Sequence, residues 1–309
     1  ATYYGSEYGW QGSLSSINIT KGYKIQLADA TTLAFSGSPA DPAEHPISLD
    51  LGWNWIGYLP LQEIEINTAL GSITNGAYIK GQTEGFSTYY GDPNDGGWGW
   101  QGTLGHMKPG YMYMLQMDGH DVLIYPSNTL AVSNNPIQPS EIPDFDFRQY
   151  EFNGSVTAQI DIDDVVITKS DKLIAYIGSE KRGEVSPMLF APTNEYVFPL
   201  MVFGSSEESN KLAFEYYNSL LGKTYDVSET MKFSADMIIG DGMVPFPMSD
   251  SDAILPSAFE LNNAYPNPFN PTTNISYIIG EYSFVDVVIY DVTGRVVDNL
   301  TSVFAMTFV

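Results

Sequence analysis

Near its C-terminus the chain reads Asn263-Ala264-Tyr265-Pro266-Asn267-Pro268-Phe269-Asn270-Pro271-Thr272-Thr273. The three prolines in this stretch fix φ and prevent a helix from running through it. Ile275 and Tyr277 then alternate with polar residues, which predicts a strand that leaves a rigid turn. Further strands are predicted at Val285–Tyr290 and from Val296 onward, joined by a turn in which Gly294 takes a positive φ. Together these elements predict the first half of a small β-sandwich over residues 259–309.

The same stretch carries a longer motif. Its residues are Tyr265, Pro266, Asn267, Pro268, Phe269, Asn270, Pro271, Gly294 and Arg295. Together with the strand sequences around residues 289–297, the motif resembles the C-terminal sorting domain of type 9 secretion substrates. The similarity covers residues 261 to about 300, and the family's domain continues for several more strands, so we expect a partial sorting domain. The resemblance implies export to the outside, or to the outer surface, of a Gram-negative bacterium.

Composition restricts the possible partners. The 309 residues include 37 acidic and 13 basic ones, for a net charge of −24. So few cations make nucleic acid an unfavourable partner, because binding it requires Lys and Arg to replace phosphate counterions. The chain has no cysteine, which excludes disulfides and thiol chemistry. No apolar run reaches the ~20 residues of a membrane helix, so no membrane span is predicted.

An internal repeat occupies the N-terminal part of the chain. Gly9-Trp10-Gln11-Gly12 recurs as Gly99-Trp100-Gln101-Gly102, at an offset of 90 residues. Lys21-Gly22-Tyr23 resembles Pro109-Gly110-Tyr111, at an offset of 88 that implies a two-residue deletion. These matches predict the second half of one repeat module at residues 1–44 and a complete second module at residues 45–133, with one short helix over residues 63–73. The pattern resembles a repeat module of exported proteins that carry the same sorting domain.

Short strands separated by turns follow at residues 144–248. Val156, Ala158 and Ile160 alternate with polar residues, as in a half-buried strand. This segment resembles an exported Ig-like β-sandwich module, and Pro-rich or acidic linkers flank it. The predicted fold class is therefore all-β with minor helix: tandem small β modules, an Ig-like β-sandwich and a partial C-terminal β-sandwich.

Two sets of residues are candidate binding sites. Carboxylates are the ligands that Ca²⁺ prefers, which makes an acidic cluster one candidate cation site, with a solvated acidic turn as the alternative. Its members are Asp161, Asp163, Asp164 and Asp171. Aromatic side chains at equivalent loops of the repeats form a second candidate, a glycan-binding face. The alternative is that these side chains pack in the hydrophobic core of each module or at the junction between modules. Its members are Trp10, Trp98, Trp100, Tyr89 and Tyr90. Trp53 and Trp55 share one strand face and are predicted to be core.

Catalytic motifs are absent from the sequence. None of the three histidines lies in a nucleophile or metal motif, and no G-x-S-x-G elbow is present. We therefore expect a non-catalytic exported structural or adhesive protein without a cofactor other than Ca²⁺. We further expect it to associate with copies of itself by strand addition into filaments or a layer. The alternative is that these are accessory, glycan-binding modules of a secreted hydrolase.

Overall fold

The computed structural model describes residues 1–29, 37–128, 145–205 and 211–250 and, nearer the C-terminus, 260–261, 264, 273, 277–278, 283–291 and 293–305. The chain divides into two compact units, Ala1–Met248 and Ser249–Val309. Most regular structure is antiparallel strand, and the helices are short. The prediction of an all-β chain with minor helix is therefore confirmed.

The first repeat copy contains a two-stranded hairpin. Its elements are β1 (Thr2–Tyr3), helix α1 (Gly5–Tyr8) and β2 (Trp10–Gln11). Further along, Lys21 forms an isolated antiparallel bridge with Ile56 of the second copy. Gly22 N donates to Trp55 O at 3.1 Å and Gly57 N donates to Thr20 O at 3.1 Å. The first copy thus pairs with a sheet edge of the second.

The second repeat copy is built around a five-stranded antiparallel sheet. Its elements are β3 (Ile47–Leu49), β4 (Gly52–Gly57), β5 (Ile64–Glu65), α2 (Ile66–Ala69), β6 (Gly76–Lys80), β7 (Phe86–Tyr89), β8 (Trp100–Gly102), β9 (His106–Met107), β10 (Met112–Met117) and β11 (Asp121–Leu123). The sheet order is β4-β10-β6-β7-β8, with the small pairs β3-β11 and β5-β9 beside it. One face of the sheet, with Ile56, Ile79 and Leu115, packs on α2 to form the core of the repeat.

The helix predicted over residues 63–73 is shorter than expected, because α2 covers only Ile66–Ala69. Ile64 and Glu65 instead pair with β9 as a strand. The Glu65 side chain then caps the helix by accepting a hydrogen bond from Thr68 N at 3.0 Å. Backbone pairing to a distant segment therefore overrides the helical spacing of the apolar residues.

Residues 145–205 and 211–248 form two sheets that pack face to face. Their strands are β12 (Phe152–Ile160), β13 (Lys172–Ile177), β14 (Glu180–Val185), β15 (Met188–Phe190), β16 (Glu195–Gly204), β17 (Lys211–Asn218), β18 (Lys223–Asp226), β19 (Met231–Lys232), β20 (Ile238–Ile239) and β21 (Phe246–Met248). One sheet has the order β15-β16-β12-β20, and β21 also pairs with β12. The other sheet has the order β14-β13-β17-β18, and β19 also pairs with β17. Phe198 of β16 contacts Tyr216 of β17 edge to face across the core, with ring centroids 5.8 Å apart.

The C-terminal unit contains two antiparallel strand pairs in its described part. They are β22 (Glu260–Leu261) with β23 (Tyr277–Ile278), and β24 (Ser283–Tyr290) with β25 (Val296–Ala305). The strands predicted at Val285–Tyr290 and from Val296 are confirmed. Gly294 lies in the connecting turn with φ of 83°, as predicted.

Candidate functional site

The Trp-bearing hairpin makes the same two side-chain contacts in both repeat copies, although the loop between its strands is four residues longer in the second. The rings of Tyr3 and Trp10 are tilted by 49° with centroids 5.4 Å apart, and those of Tyr89 and Trp100 by 45° at 5.1 Å. In each copy a glutamine amide donates to a backbone carbonyl three residues earlier, at 2.6 Å, from Gln11 in the first and Gln101 in the second. The sequence match therefore reflects a shared local structure.

The offset of 88 residues inferred for the second part of the repeat is wrong. Asn18 N donates to the Tyr23 hydroxyl at 2.9 Å, and Lys108 N donates to the Tyr113 hydroxyl at 2.8 Å. Both pairs are separated by 90 residues, as are the turns at residues 19–20 and 109–110. Tyr23 thus corresponds to Tyr113, and no deletion separates the two matches. The Gly-Tyr pairs that suggested the shorter offset therefore match by coincidence.

The five aromatic residues proposed as a glycan-binding face do not share one surface. Trp10 and Trp98 are exposed, whereas Trp100 is buried in the repeat core with the half-buried Tyr89 against it. Tyr90 instead packs on the sandwich, with its ring centroid 5.2 Å from that of Phe190. Its hydroxyl accepts a hydrogen bond from Gly242 N at 2.6 Å and lies 3.3 Å from a carboxylate oxygen of Asp241. Burial, together with the Asp241 charge, raises the pKa of Tyr90.

A buried lysine joins the second repeat to the sandwich. Lys80 at the end of β6 is 1% exposed. Its Nζ donates to Asn153 Oδ1 at 2.7 Å, to Asn153 O at 3.1 Å and to Asp236 Oδ1 at 2.7 Å. The Asn153 amide in turn donates to the carbonyls of Gly81 and Gln82, at 3.3 and 3.0 Å. Burial lowers the pKa of Lys80, while the hydrogen bond and charge of Asp236 oppose that shift.

Apolar contacts surround this junction. Tyr78, Phe86 and Met114 are buried but do not belong to the core cluster of the repeat. Because successive strand residues point to opposite faces, Tyr78 and Lys80 lie on the face opposite to Ile79. The rings of Tyr78 and Phe86 stack with centroids 5.6 Å apart, and burial raises the pKa of Tyr78. The second face of the repeat sheet is thus buried around Tyr78, Phe86 and Lys80, where it meets the sandwich.

A cleft of about 420 Å³ opens beside the junction. Its lining comes from all three parts of the N-terminal unit: Gly22, Tyr23, Lys24, Trp55, Glu151, Phe152 and Asp236. Lys24 Nζ lies 5.3 Å from the ring centroid of Trp55 and 5.8 Å from that of Phe152, and it contacts Glu151 O at 3.4 Å. Trp55 is exposed, so the prediction that it is core is wrong. Strand alternation correctly places Trp53 and Trp55 on one face, but it does not show how far the sandwich extends over that face.

The four aspartates proposed as Ca²⁺ ligands are not gathered into a site. Asp161, Asp163 and Asp164 are exposed, whereas Asp171 is fully buried. Within the described ranges, no group of three or more acidic or histidine side chains is arranged to hold a metal ion. The alternative reading, a solvated acidic turn, agrees with the exposure of the first three.

Asp171 has a structural set of partners. Its carboxylate accepts hydrogen bonds from the hydroxyls of Tyr216, Ser219 and Thr168, at 2.6, 2.7 and 2.8 Å. It also accepts from the backbone N–H groups of Ser219 and Thr168, at 2.9 and 3.0 Å. Burial acts to raise the pKa of Asp171, but these bonds outweigh it and hold the pKa at about 2. The side chain therefore ties the turn before β13 to the end of β17.

The turn of the sorting-like hairpin is organised by one aspartate. Asp291 Oδ1 accepts hydrogen bonds from Thr293 Oγ1, Thr293 N and Arg295 N, at 2.6, 2.8 and 3.0 Å. The hydrogen bond from the Thr293 hydroxyl is the largest cause of the lowered pKa of Asp291. The remaining motif residues, Tyr265 to Pro271, lie outside the described residues.

No helix in the described part of the chain is long and apolar enough to cross a membrane. The comparison with protein families matches residues 263–306 to the secretion system C-terminal sorting domain. That match extends beyond residue 300, where the resemblance in the sequence ended. No match was found among curated proteins or among solved structures. The chain therefore carries a type 9 secretion C-terminal sorting domain at residues 263–306, and the protein is secreted or displayed at the outer surface of a Gram-negative bacterium of the Bacteroidetes type.

Proposed function

We propose that the protein is a non-catalytic structural or adhesive component of the cell surface, whose repeats and sandwich act together as one stiff arm. The observation that carries this proposal is the junction at Lys80. A flexible linker would leave each module to move independently. Here a buried lysine, a buried asparagine and the partly buried Asp236 connect the two modules directly. A stiff arm suits a protein that presents a surface or transmits force outside the cell.

Assembly by strand addition between subunits is part of this proposal. The repeat sheet already accepts backbone pairing at its β4 edge, through residues 20–22. Gly57 makes this approach possible, because a Cβ there would lie 2.4 Å from Ile19 O. The same mode of edge pairing, made between chains instead of within one, would join subunits. Copies of the chain are therefore the proposed partners, and the net charge of −24 keeps unpaired copies soluble.

Electron microscopy of the native secreted material, combined with its intact mass, tests the proposal. We expect ordered fibres or sheets built from a subunit of 34.1 kDa. The Lys80→Met variant should give assemblies that are less regular, whereas Lys24→Met, which changes an exposed lysine, should not. Monodisperse monomers under conditions in which the cells display the protein would contradict assembly.

A second candidate is a glycan-binding accessory module of a secreted hydrolase. The observation that favours it is the cleft, in which the exposed Trp55 ring and Tyr23 are close to Glu151 and Asp236. Sugars bind proteins through aromatic faces combined with a few polar groups. Affinity electrophoresis against soluble polysaccharides tests this candidate. Retardation that is lost in Trp55→Ala and kept in Leu51→Ala, a change of another exposed residue, would favour glycan binding over the structural role.

A further inference from the structure

The amine of Lys80 is buried where the second repeat meets the sandwich. Among the residues that the structure describes, Lys80 is the only buried lysine. Lysine is almost never fully buried unless it is paired, because its ammonium group gives up its hydration. Replacement of a buried ion pair by apolar residues of similar size is often neutral or even stabilising. Stability alone therefore does not explain why an amine occupies this position.

An amine, a carboxamide and a carboxylate meet at Lys80. Its Nζ lies 2.7 Å from Asn153 Oδ1 and 2.7 Å from Asp236 Oδ1. Because a C=O bond is about 1.23 Å long, Nζ is no more than about 4 Å from Cγ of Asn153. Reacting atoms in a near-attack geometry are about 3–3.5 Å apart, so a movement of less than about 1 Å brings the amine within reach of the amide carbon.

The backbone holds the amide and the carboxylate in place. Asn153 Nδ2 donates to the carbonyls of Gly81 and Gln82, at 3.3 and 3.0 Å, which turns the side-chain carbonyl toward Lys80. Asp236 N donates to Asn153 O at 3.0 Å, and Asp236 has a φ of 60°, in the left-handed region. Non-glycine residues in this region are strained and are concentrated at functional sites. The carboxylate is thus positioned beside the amine by more than the ion pair.

The surroundings of Nζ favour its neutral form. The ring centroid of Trp53 lies 5.5 Å from Nζ, and the buried Tyr78 lies on the same strand two residues earlier. Burial lowers the pKa of Lys80, although the hydrogen bond and the charge of Asp236 oppose this shift. A desolvated lysine amine beside a proton acceptor is an activated nucleophile. The side chain of Asp236 is 32% exposed, so this side of the group is open to water.

We propose that Lys80 and Asn153 form an intramolecular isopeptide bond, which links the second repeat covalently to the sandwich, with Asp236 as the proton-transfer group. Asp236 takes a proton from the Lys80 ammonium group, and the amine attacks Cγ of Asn153. The acid form of Asp236 then protonates Nδ2, and the Cγ–Nδ2 bond breaks. One Nζ–Cγ bond forms, Nδ2 leaves as ammonium with the surplus protons, and Asp236 ends as the carboxylate. No oxidant or reductant takes part.

This inference goes beyond the structural role proposed above, because the bond forms within one chain whether or not chains assemble. Intact-mass measurement of the folded full chain tests it. We expect a mass lower than that of the sequence by one ammonia molecule. Trypsin should not cleave after Lys80, and the digest should contain one branched peptide in which Lys80 Nζ is joined to Asn153 Cγ. Ordered assemblies from a chain of full mass would refute the bond and leave the structural role intact.

Two variants of the full chain separate the bond from the hydrogen bonds around it. Asp236→Asn keeps the size of the side chain but removes the proton acceptor, so this variant should retain the full mass of its own sequence. Lys24→Met is the matched control. It changes an exposed lysine beside the same junction and should lose ammonia as the parent does. Circular dichroism shows that each variant is folded before its mass is compared.

A different reaction at Asn153 gives the same change in mass. Asn153 precedes Gly154, and attack of the Gly154 nitrogen on the Asn153 side chain would release ammonia and form a cyclic imide. Ammonia loss at Asn153 that persists in Lys80→Met would identify the imide and overturn the proposal. The full sequence mass in the folded parent, with normal cleavage after Lys80, would also overturn it. An Asp236→Asn chain that still forms the branched peptide would refute the role of Asp236.

Discussion

Replacement of Lys80 by methionine is the most direct test of the junction between repeat and sandwich. Methionine keeps most of the apolar stem but removes the ammonium group and its three hydrogen bonds, to Asn153 Oδ1, Asn153 O and Asp236 Oδ1. Asp236 regains water easily, because its side chain is 32% exposed. The acceptors of Asn153 have no such access, because this residue is buried.

The expected loss of stability follows from these contacts. Leaving a buried acceptor unpaired costs about 1–3 kcal/mol, and hydrogen bonds to a charged group contribute about 1.5–3 kcal/mol each. Part of this loss is offset, because the variant no longer has to desolvate an ammonium group. We expect a net decrease of about 3 kcal/mol in the free energy of unfolding. Lys24→Met is the matched control. It removes exposed cation–π contacts to Trp55 and Phe152, worth about 0.5–1 kcal/mol each, and a long hydrogen bond to Glu151 O.

Urea unfolding of the full chain, followed by tryptophan fluorescence and by far-ultraviolet circular dichroism, measures both variants. We expect the two probes to separate in Lys80→Met, because the repeat and the sandwich then unfold at different urea concentrations. A double-mutant cycle with Asp236→Asn should give a coupling energy of about 1–2 kcal/mol. If Lys80→Met costs no more than Lys24→Met, the junction does not hold the two modules together and the stiff-arm proposal fails.

Three further predictions concern other contacts in the N-terminal unit. The pKa of Asp171 is lowered from 3.8 to about 2 in the folded protein. The ionised carboxylate therefore contributes about 2 kcal/mol to the free energy of unfolding above pH ~4, and this contribution is lost as the pH falls to about 2. In urea titrations, the stability of Asp171→Asn should lack this dependence on pH. Gly57→Ala should separate residues 19–22 from β4, because the new Cβ would lie 2.4 Å from Ile19 O, and amide exchange at residues 19–22 should become faster. Gly105→Ala is the control and should leave that exchange unchanged, because a Cβ at Gly105 has nothing within 4 Å. Tyr90→Phe should lower the free energy of unfolding by about 1–2 kcal/mol in a thermal or urea titration, because Gly242 N loses its acceptor.

Local turn and strand chemistry was predictable from the sequence. The sequence indicated strands at Val285–Tyr290 and from Val296, where β24 and β25 lie. Gly294 was predicted to take a positive φ because Asp291 precedes it in a turn sequence, and the observed hydrogen bonds from Thr293 and Arg295 explain that turn. Such features depend on residues a few positions apart, so the sequence contains all the information they need.

Burial on the second face of a sheet was not predictable in the same way. The alternation in β12 indicated a strand with one polar, exposed face. Ser155 and Thr157 are nevertheless buried, on the face of β12 opposite to Val156 and Ala158. The Asn153 side chain on the same strand is hydrogen bonded to Lys80 and Gly81 of the repeat. Alternation shows which side chains share a face, but it does not show which faces another module will cover.

The grouping of the four aspartates was not predictable for a related reason. Asp171 lies near other aspartates in sequence, which suggested a cation site. Its actual partners Tyr216 and Ser219 are more than 40 residues away in the chain, and Thr168 completes the set. These donors satisfy the carboxylate, so its charge is used to fix a turn. Proximity in sequence therefore identified an important carboxylate but assigned it the wrong partners.

The two tryptophans of the repeated hairpin differ in burial although their sequences match. Trp10 and Trp100 have the same neighbours in sequence and the same ring partner, yet one is 59% exposed and the other 4%. Since their local structures agree, the free energy gained by burying such a ring depends on a segment that comes from elsewhere in the fold.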